Sequence, residues 1–452
     1  MKQPTESPQP LLRISRSPAL RGRVSVPGDK SISHRALLFG ALADGAVEIS
    51  GLGLGGDNAS TMVALRALGV PIQQAGADAR VEGVGLAGLR EATCPLDCGN
   101  SGTTMRLFCG LLAGRPFVST LTGDVSLSRR PMARVATPLR RMGATIDGRQ
   151  AAVRPGDLFP PLTVRGGELQ GIGYQLPVAS AQLKSALILA GLQARGRTVI
   201  TEPGLSRDHS ERMLRFLGAP VSAEPEKRRV VVDPTGWNGR LRAGPVSVPG
   251  DLSSAAFLLV AALIVPGSDV TVENVGLNPT RTGVLDALIA MGADLEITIT
   301  GQAMGEPLGS VRARWSDRRL RGATVTGELA LRSIDEIPAL AVAAALADGT
   351  TEFGDLRELR VKESYRIACI ARELQRAGVT VREAPDGFSV TGTGGRPSQG
   401  GRVQPDGDHR IAMAGAILGL VAGDATEVPS QDIATSFPSF AQLLQELGAP
   451  AG

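Results

Sequence analysis

The chain has 452 residues, of which 42% are hydrophobic, 20% are charged and only 3% are aromatic, with a formal net charge of +4. This length predicts two or three domains, and no apolar run approaches the roughly 18 residues of a membrane span. Few aromatic rings and scattered basic residues argue against nucleic acid and favour small anionic ligands.

Residues 1–10 lack the basic and apolar regions of a secretory signal, so we expect a short disordered tail on a cytoplasmic protein. The four cysteines are Cys94, Cys98, Cys109 and Cys369. Because the chain has only three histidines and no pair of CxxC motifs, we expect reduced packing thiols rather than a zinc site.

A helix that ends in glycine and runs into a strand recurs with a period of about 75 residues, which marks a repeated folding unit. The six glycines are Gly69, Gly143, Gly218, Gly292, Gly378 and Gly448. Only glycine takes the left-handed conformation of a helix C-cap at low cost, and the apolar alternation that follows is typical of a strand. The pattern therefore predicts six units, three in each half of the chain.

Each unit also contains a strongly apolar helix, from SHRALLFGALADG in the first unit to HRIAMAGAILGLVAG in the sixth. A helix that is apolar on nearly all faces must be buried. The closest match between units joins residues 24–38 to residues 246–259, half a chain apart. We therefore predict an α/β fold of two similar domains, each with three buried parallel helices surrounded by sheets, and an active site between the domains.

Short polar segments such as PGDKS, CGNSG and PDGDH precede the buried helices. If the helices of one domain run parallel, their N-termini point at one place and together favour an anion. Basic residues lie at or after five of these helix starts: Lys30, Arg35, Arg106, Arg130, Arg207, Lys362, Arg366 and Arg410. They are candidates to neutralise a polyanionic ligand; the alternative is that they are solvated surface charges.

Two carboxylates near the same helix starts, Asp335 and Glu363, are candidates for proton transfer. A carboxylate beside several cations stays ionised and can act as a base near neutral pH. The alternatives are that Asp335 only caps its helix and that Glu363 is an ordinary surface residue.

The segment GLGLGG at residues 51–56 matches the GxGxxG pattern of dinucleotide-binding proteins. In the fourth unit, Gly276 corresponds to Gly53, but Pro279 replaces the last glycine of the pattern. The acidic residue expected about 20 positions later has only Asp78 as a candidate. The segment therefore indicates a turn shared by two units rather than a nucleotide site.

Six motifs along essentially the whole chain resemble the signatures of 5-enolpyruvylshikimate-3-phosphate synthases. They are PGDKSISHR (27–35), GNSGTTMR (99–106), RRPM (129–132), SAQLKSA (180–186), RVKES (360–364) and DHRIAM (408–413). The resemblance implies two domains of three βαβαββ repeats each, an inside-out α/β barrel with the active site in the interdomain cleft. Residues 27–246 would form the first domain, and residues 11–26 with 247–452 the second.

The resemblance also implies the reaction. The carboxyvinyl group of phosphoenolpyruvate would pass to the 5-hydroxyl of shikimate 3-phosphate through a tetrahedral ketal, with release of phosphate, in aromatic amino-acid biosynthesis. Asp335 would accept the hydroxyl proton with help from Lys362, while Lys30 and Glu363 would serve the other catalytic steps, Glu363 at the methylene carbon. No metal or organic cofactor is implied.

The family's binding roles carry over to residues of this chain. The expected ligands of shikimate 3-phosphate are Lys30, Ser31, Arg35, Ser180, Gln182, Arg207, Asp335 and Lys362. The expected ligands of phosphoenolpyruvate are Lys30, Asn100, Gly102, Arg130, Gln182, Arg366, His409 and Arg410. Forked arginine hydrogen bonds suit its carboxylate and phosphate.

The resemblance implies a cytoplasmic monomer whose partners are these two metabolites, not nucleic acid or a membrane. It also implies sensitivity to glyphosate, because Gly102 leaves the pocket open. Three positions depart from the family pattern: Tyr365 where many members carry Asp, Thr435 where some carry Lys, and Ala181 in place of a serine. One salt bridge and one phosphate contact are therefore in question.

Two alternatives remain open at this point. One is the sister carboxyvinyltransferase that acts on UDP-N-acetylglucosamine, which should not carry KSISHR. The other is a non-catalytic repeat scaffold that binds small anions, which would leave the cations at most of the helix starts as a coincidence.

Overall fold

The computed structural model describes residues 10–150, 156–361, 364–396 and 398–452. The strands are β1 (Leu11–Ile14), β2 (Arg21–Ser25), β3 (Asp44–Ser50), β4 (Ile72–Ala75), β5 (Asp78–Val84), β6 (Leu96–Asp97), β7 (Val118–Thr122), β8 (Thr145–Arg149), β9 (Phe159–Arg165), β10 (Gly173–Gln175), β11 (Thr198–Thr201), β12 (Val221–Glu224), β13 (Arg229–Val232), β14 (Val246–Ser247), β15 (Asp269–Gly276), β16 (Asp294–Ala303), β17 (Glu306–Arg314), β18 (Thr324–Val325), β19 (Thr350–Phe353), β20 (Thr380–Ala384), β21 (Gly387–Thr391), β22 (Gly401–Arg402) and β23 (Thr426–Pro429).

The helices are α1 (Lys30–Ala41), α2 (Gly56–Ala67), α3 (Gly85–Gly88), α4 (Gly102–Leu112), α5 (Ala133–Met142), α6 (Ala181–Gly191), α7 (His209–Phe216), α8 (Leu252–Ile264), α9 (Gly283–Ala290), α10 (Gly327–Arg332), α11 (Ile337–Leu346), α12 (Arg366–Arg376), α13 (His409–Gly419), α14 (Ser430–Ala434) and α15 (Phe440–Glu446). Among the residues described, none of these helices is both long and apolar enough to cross a bilayer. The predicted tail, apart from residue 10, lies outside the described residues.

The chain folds into two compact units. The first unit consists of Gly28–Pro249 with Gln302–Glu306. The second unit consists of the chain up to Pro27, Gly250–Gly301 and Pro307–Gly452. Each unit therefore draws on segments that are distant in the sequence.

The first unit contains three four-stranded sheets of one topology, in the orders β14-β3-β5-β4, β6-β7-β9-β8 and β10-β11-β13-β12. In each sheet the first pair is parallel and the other two pairs are antiparallel. A helix lies between the two parallel strands in the sequence of the second and third sheets, as crossover connections require. The unit is thus built from three copies of one βαβαββ module.

The second unit repeats this arrangement with one change. Its sheets have the orders β2-β15-β17-β16, β18-β19-β21-β20 and β1-β23-β22. In the last sheet β1, from the start of the chain, pairs antiparallel with β23, so that Leu12 faces Val428. This N-terminal strand occupies the place of one strand of the final hairpin in the sixth module, and Ala451 near the C-terminus forms a bridge with its Ile14.

Two strands are exchanged between the first and fourth modules. Strand β2 immediately precedes α1 but pairs in parallel with β15, while β14 precedes α8 but pairs in parallel with β3. Both strands belong to the repeated VSVPG segments noted in the sequence. The exchange explains why each unit includes chain from both halves.

The buried helices predicted from the sequence are confirmed as α1, α4 and α6 in the first unit and α8, α11 and α13 in the second. Every residue of α8 and α11 is buried. Helices α4 and α6 approach so closely that a Cβ on Gly110 would lie 2.2 Å from the carbonyl oxygen of Ala186. Close packing of this kind leaves the helix starts as the main polar sites of each core.

The six predicted glycine caps are also confirmed. They follow α2, α5, α7, α9, α12 and α15, with φ values between +84° and +117° at Gly69, Gly143, Gly218, Gly292, Gly378 and Gly448. Left-handed backbone at these sites favours glycine. The α/β fold class and the six related repeats predicted above are therefore correct.

Candidate active site

Side chains cap the N-termini of the three buried helices in the first unit. Asp29 accepts a hydrogen bond from the N–H of Ile32 at 2.9 Å in α1, and Ser101 accepts one from Thr104 at 3.1 Å in α4. Ser180, a predicted ligand, does the same for α6 at 3.4 Å. These caps satisfy some of the exposed donors of each first turn and fix where each helix begins.

Two guanidinium groups converge on the start of α4. A Cβ placed on Gly102, the first residue of this helix, would lie 2.7 Å from Nη1 of Arg106 and 3.4 Å from Nη1 of Arg130. Burial leaves Nε of Arg130 without a hydrogen-bond partner among the described residues. Two cations at the positive end of a helix dipole form an environment suited to an anion.

The neighbouring polar groups hold these cations in place. Arg106 donates to Oε1 of Gln182 at 2.8 Å, and Gln182 donates in turn to the hydroxyl of Thr103 at 2.9 Å. Lys30, at the start of α1, forms an ion pair with Asp57 at 3.1 Å. The structure therefore brings Gly102, Arg130 and Gln182 together, as predicted, and adds Arg106, which the family resemblance had given no role.

Arg35 is buried rather than exposed at the surface. Its guanidinium is 2% exposed and donates to the hydroxyls of Ser210 at 2.7 Å and Ser185 at 2.8 Å, and to the carbonyl of Ser31 at 2.8 Å. Burial lowers the pKa of Arg35 to about 10, partly offset by Glu211. The residue is thus still charged at neutral pH and joins α1, α6 and α7.

A buried lysine anchors the loop that carries Arg207. Lys184 forms ion pairs at 2.7 Å with Glu202 and with Glu211, and it donates to the carbonyl of Ser206 at 3.3 Å. Burial raises the pKa of Glu211 despite the neighbouring lysine. These contacts position the backbone next to Arg207, a predicted ligand of shikimate 3-phosphate.

His34 begins a buried chain of hydroxyl groups that ends at the cap of α4. Its Nδ1 lies 2.7 Å from the hydroxyl of Thr61, which lies 2.6 Å from that of Thr104. Because Thr104 donates its proton to Ser101, Thr61 must donate to Thr104, and His34 must donate from Nδ1. Burial lowers the pKa of His34 to about 3, so the ring is neutral.

In the second unit, Asp408 connects the starts of α12 and α13. Its carboxylate accepts hydrogen bonds from Nε of Arg366 at 2.8 Å, from the Ser364 hydroxyl at 3.0 Å and from the N–H of Arg410 at 3.0 Å. The side chains of Asp408 and Arg366 are both fully buried. Two predicted phosphoenolpyruvate ligands, Arg366 and Arg410, are therefore held by one carboxylate.

Asp335 lies beside these arginines. Its Oδ1 is 3.6 Å from Nη1 of Arg366, and its carbonyl accepts a hydrogen bond from Nη1 of Arg410 at 2.9 Å. The N-cap of α11 is Glu336 rather than Asp335, so the capping alternative for Asp335 was wrong. Glu336 is itself buried in an ion pair with Arg281 at 3.3 Å.

The remaining predicted site residues lie at or next to helix starts, or outside the residues that the structure describes. Ser31 lies in the first turn of α1, Asn100 contacts Arg130, and His409 begins α13 and is 6% exposed. Lys362 and Glu363 lie outside the described residues, so their predicted roles stay predictions.

The three departures from the family pattern have clear positions. Tyr365 stands at the N-cap position of α12 without a capping side-chain hydrogen bond and is 68% exposed, so it forms no substitute for a salt bridge in the core. The hydroxyl of Thr435 donates to the carbonyl of Asp432 at 2.7 Å. Ala181 is the first residue of α6, and its carbonyl accepts the hydroxyl of Ser185.

The glycines of the GLGLGG segment serve backbone packing. A Cβ on Gly53 would lie 2.6 Å from the carbonyl oxygen of Gly28, and one on Gly51 would lie 2.8 Å from that of Val248. These close approaches account for the glycines without a nucleotide, as the sequence comparison with the fourth unit indicated.

The cysteines agree with the prediction of packing thiols at three positions but not at the fourth. Cys98, Cys109 and Cys369 are buried, whereas Cys94 is exposed. Burial raises the pKa of Cys109 to about 12, so it is a thiol at neutral pH. Within the described ranges, no three His, Cys, Asp or Glu side chains are grouped as a metal ion would require.

Sequence reasoning did not identify three acidic residues that contact predicted site residues: Asp57 beside Lys30, Asp124 beside Asn100 and Asp408 beside Arg366. The sequence did contain a signal for Asp408. It is an aspartate at a helix N-cap position, immediately before His409 and Arg410. Asp57 and Asp124 gave no comparable signal, because both act on residues more than 20 positions away.

Paired modules of this topology, with arginines gathered at buried helix starts, define a repeat-built α/β enzyme that binds phosphorylated or carboxylated metabolites. Residues 14–444 match the family model of EPSP synthase (3-phosphoshikimate 1-carboxyvinyltransferase). The chain therefore belongs to the EPSP synthase family, as its motifs indicated.

Individual relatives agree with this assignment. The 3-phosphoshikimate 1-carboxyvinyltransferase of Synechococcus sp. (strain JA-3-3Ab) is 52% identical over 450 residues, covering 99% of each chain. That of Alkalilimnicola ehrlichii is 52% identical over 434 residues, covering 95% of this chain and 94% of the relative. The solved EPSP synthase of Acinetobacter baumannii is 41% identical and has a TM-score of 0.86, covering 98% of this chain and 99% of its own.

Proposed function

We propose that the chain transfers the carboxyvinyl group of phosphoenolpyruvate to the 5-hydroxyl of shikimate 3-phosphate and releases phosphate, as a step of aromatic amino-acid biosynthesis. Family membership supports the reaction. The structural observation that carries it is the convergence of Arg106 and Arg130 on Gly102 at the start of α4. A substrate with a carboxylate and a phosphate matches two adjacent guanidinium groups.

The expected phosphoenolpyruvate ligands fall into two groups of residues. In the first unit, the expected ligands are Lys30, Asn100, Gly102, Arg130 and Gln182, of which Gly102 begins α4 and Lys30 begins α1. In the second unit, Asp408 contacts both Arg366 at the start of α12 and the backbone of Arg410 in α13, and His409 is the first residue of α13. Fixed arginines bind planar anions with little loss of side-chain freedom, which supports this assignment.

Shikimate 3-phosphate would be bound chiefly by the first unit. Lys30 and Ser31 begin α1, Ser180 caps α6, and Arg207 follows the loop held by Lys184. Arg35 would hold the backbone of Ser31 in place, since its guanidinium donates to the carbonyl of Ser31. Asp335 and Lys362 would contact the ring hydroxyls.

The proposed chemistry is an addition followed by an elimination through a tetrahedral ketal. Asp335, next to Arg366 at 3.6 Å, would accept the proton of the attacking hydroxyl with help from Lys362. Glu363 would protonate the methylene carbon, and Lys30 would stabilise charge that develops on the phosphate. The transfer is completed when phosphate leaves and the methyl group returns a proton to the Glu363 carboxylate.

Three further properties stay predictions. We propose that the protein is cytoplasmic and monomeric, which fractionation and sedimentation would test. We also propose that glyphosate inhibits it at the phosphoenolpyruvate site, because no side chain at Gly102 fills the space before Arg106 and Arg130. Unchanged turnover at saturating glyphosate would contradict that proposal.

An assay of phosphate release tests the function directly. Phosphoenolpyruvate is supplied with shikimate 3-phosphate, with UDP-N-acetylglucosamine or with no acceptor. We expect release with shikimate 3-phosphate alone. Release with the UDP-sugar would identify the sister activity instead, and no release with either acceptor would favour the non-catalytic scaffold.

A further inference from the structure

The loop before α5 contains an acidic residue, Asp124, whose side chain contacts one proposed phosphoenolpyruvate ligand directly. The Oδ2 atom of Asp124 accepts a hydrogen bond from Nδ2 of Asn100 at 2.6 Å, and Oδ1 accepts one from the N–H of Leu127 at 2.7 Å. The backbone N–H of Asp124 donates to the carbonyl of Gly99 at 2.9 Å. Asp124 therefore binds both the residue before Asn100 and Asn100 itself.

The oxygen of the Asn100 side-chain amide faces Arg130. Nη2 of Arg130 donates to Oδ1 of Asn100 at 2.5 Å and to the hydroxyl of Ser126 at 3.2 Å. A primary amide has one donor side and one acceptor side. Because Asp124 can only accept, it fixes the Asn100 amide with its oxygen toward Arg130.

We propose that Asp124 is a positioning residue for phosphoenolpyruvate binding, which orients Asn100 and through it the guanidinium of Arg130. The inference rests on the proposed function, since it assumes that Asn100 and Arg130 contact this substrate. Asp124 acts through these two residues and is assigned no contact with substrate.

The isosteric substitution Asp124→Asn distinguishes positioning from a simple charge effect. An asparagine has one acceptor and one amide nitrogen, so it cannot accept from both Asn100 and Leu127. If its nitrogen faces Asn100, the Asn100 amide must turn over and present a donor to Arg130. The alternative is that Asp124 acts only through its negative charge. That charge would repel the anionic substrate, so Asp124→Asn would then lower the KM for phosphoenolpyruvate.

The test is steady-state kinetics of the full chain with both substrates. For Asp124→Asn we expect the KM for phosphoenolpyruvate to rise roughly tenfold, the effect of one lost hydrogen bond to a charged group, with kcat nearly unchanged. Asp124→Glu, which keeps two acceptors, should recover most of the affinity. Asp97→Asn is the matched control, because Asp97 is exposed nearby and its oxygen can still accept from the N–H of Gly99.

A double-mutant cycle completes the test. Adding Asp124→Asn to Asn100→Ala should raise KM little further, because the residue through which Asp124 acts is already gone. An unchanged or lowered KM in Asp124→Asn, or fully additive effects in the double variant, would overturn the inference. If Arg130→Ala also leaves the KM for phosphoenolpyruvate unchanged, the proposed binding site itself is wrong, and the two failures are thereby distinguished.

Discussion

Asp408 and Arg366 form a fully buried ion pair, in which Nε of the arginine donates to the carboxylate at 2.8 Å. The same carboxylate caps α13 through the N–H of Arg410. One acidic residue therefore contacts two proposed substrate-binding arginines, the side chain of Arg366 at the start of α12 and the backbone of Arg410 in the first turn of α13. Its loss should affect both folding and binding.

We predict that Asp408→Ala lowers the free energy of unfolding of the second unit by about 3 kcal/mol, because the buried Arg366 loses the carboxylate that accepts from its Nε and keeps the longer contact with Asp335 at 3.6 Å. Asp406→Asn is the control: Asp406 is 53% exposed in its ion pair with Arg372 and has a φ of +52°, which asparagine tolerates, so its loss should cost about 1 kcal/mol or less. Urea unfolding of a Trp237→Phe background makes Trp315 the reporter of this unit. Equal losses in the two variants would contradict the prediction.

His34 predicts how the stability of the first unit depends on pH. The unfolded histidine takes up a proton near pH 6.5, whereas the folded ring, with a pKa of about 3, stays neutral, so acid favours the unfolded state. Between pH 7 and pH 5 this linkage should remove about 2 kcal/mol. The His34→Asn side chain can still donate to Thr61 but does not titrate. In this variant, the decrease of about 2 kcal/mol in the free energy of unfolding should therefore be absent.

The His34 measurement is urea unfolding at both pH values, followed through Trp237 in a Trp315→Phe background. His209 and His409 are present in both proteins and so cancel in the comparison. The same loss of stability in wild type and variant would show that His34 does not titrate as its burial indicates.

Gly102→Ala tests the site at the start of α4. The added methyl group would lie 2.7 Å from Nη1 of Arg106 and should displace it from Gln182, which we expect to raise the KM for phosphoenolpyruvate roughly tenfold. Gly56→Ala is the matched control, since Gly56 begins α2 and a Cβ there would contact nothing within 4 Å. Similar kinetics in the two variants would argue against an anion site beside Gly102.

The proposed proton-transfer and charge-stabilising groups give a kinetic prediction. Lys30→Met, Asp335→Ala and Glu363→Ala should each lower kcat at least about a hundredfold, the usual size of such contributions. Thermal unfolding midpoints near that of wild type would show that the loss is chemical. Near-normal turnover in any one variant would remove that residue from the mechanism.

Much of the fold could be predicted because its signals are local. A glycine at a helix end reports the left-handed backbone at that residue, and an apolar helix reports its own burial. Those features identified Gly143 and α8 correctly. The exchange of β2 and β14 did not follow from the local patterns, because the two VSVPG segments are identical. Only the family resemblance assigned residues 11–26, which include β2, to the second domain.

The candidate site was predictable in its residue types but not in its internal contacts. Arg35 was selected correctly as a residue at a helix start, yet its hydrogen bonds to Ser185 and Ser210 span 150 and 175 residues. Asp124 shows no motif of its own, and its importance depends on where Asn100 lies in space. Such pairings are set by the packing of modules, which single-sequence patterns do not contain.

The most direct test of the central claim is a crystal structure of the Asp335→Ala variant with phosphoenolpyruvate and shikimate 3-phosphate. The proposal predicts that oxygens of phosphoenolpyruvate lie within about 3.2 Å of guanidinium nitrogens of Arg130 and Arg410, the range of a hydrogen bond. Both substrates bound without contacts from these arginines would contradict it.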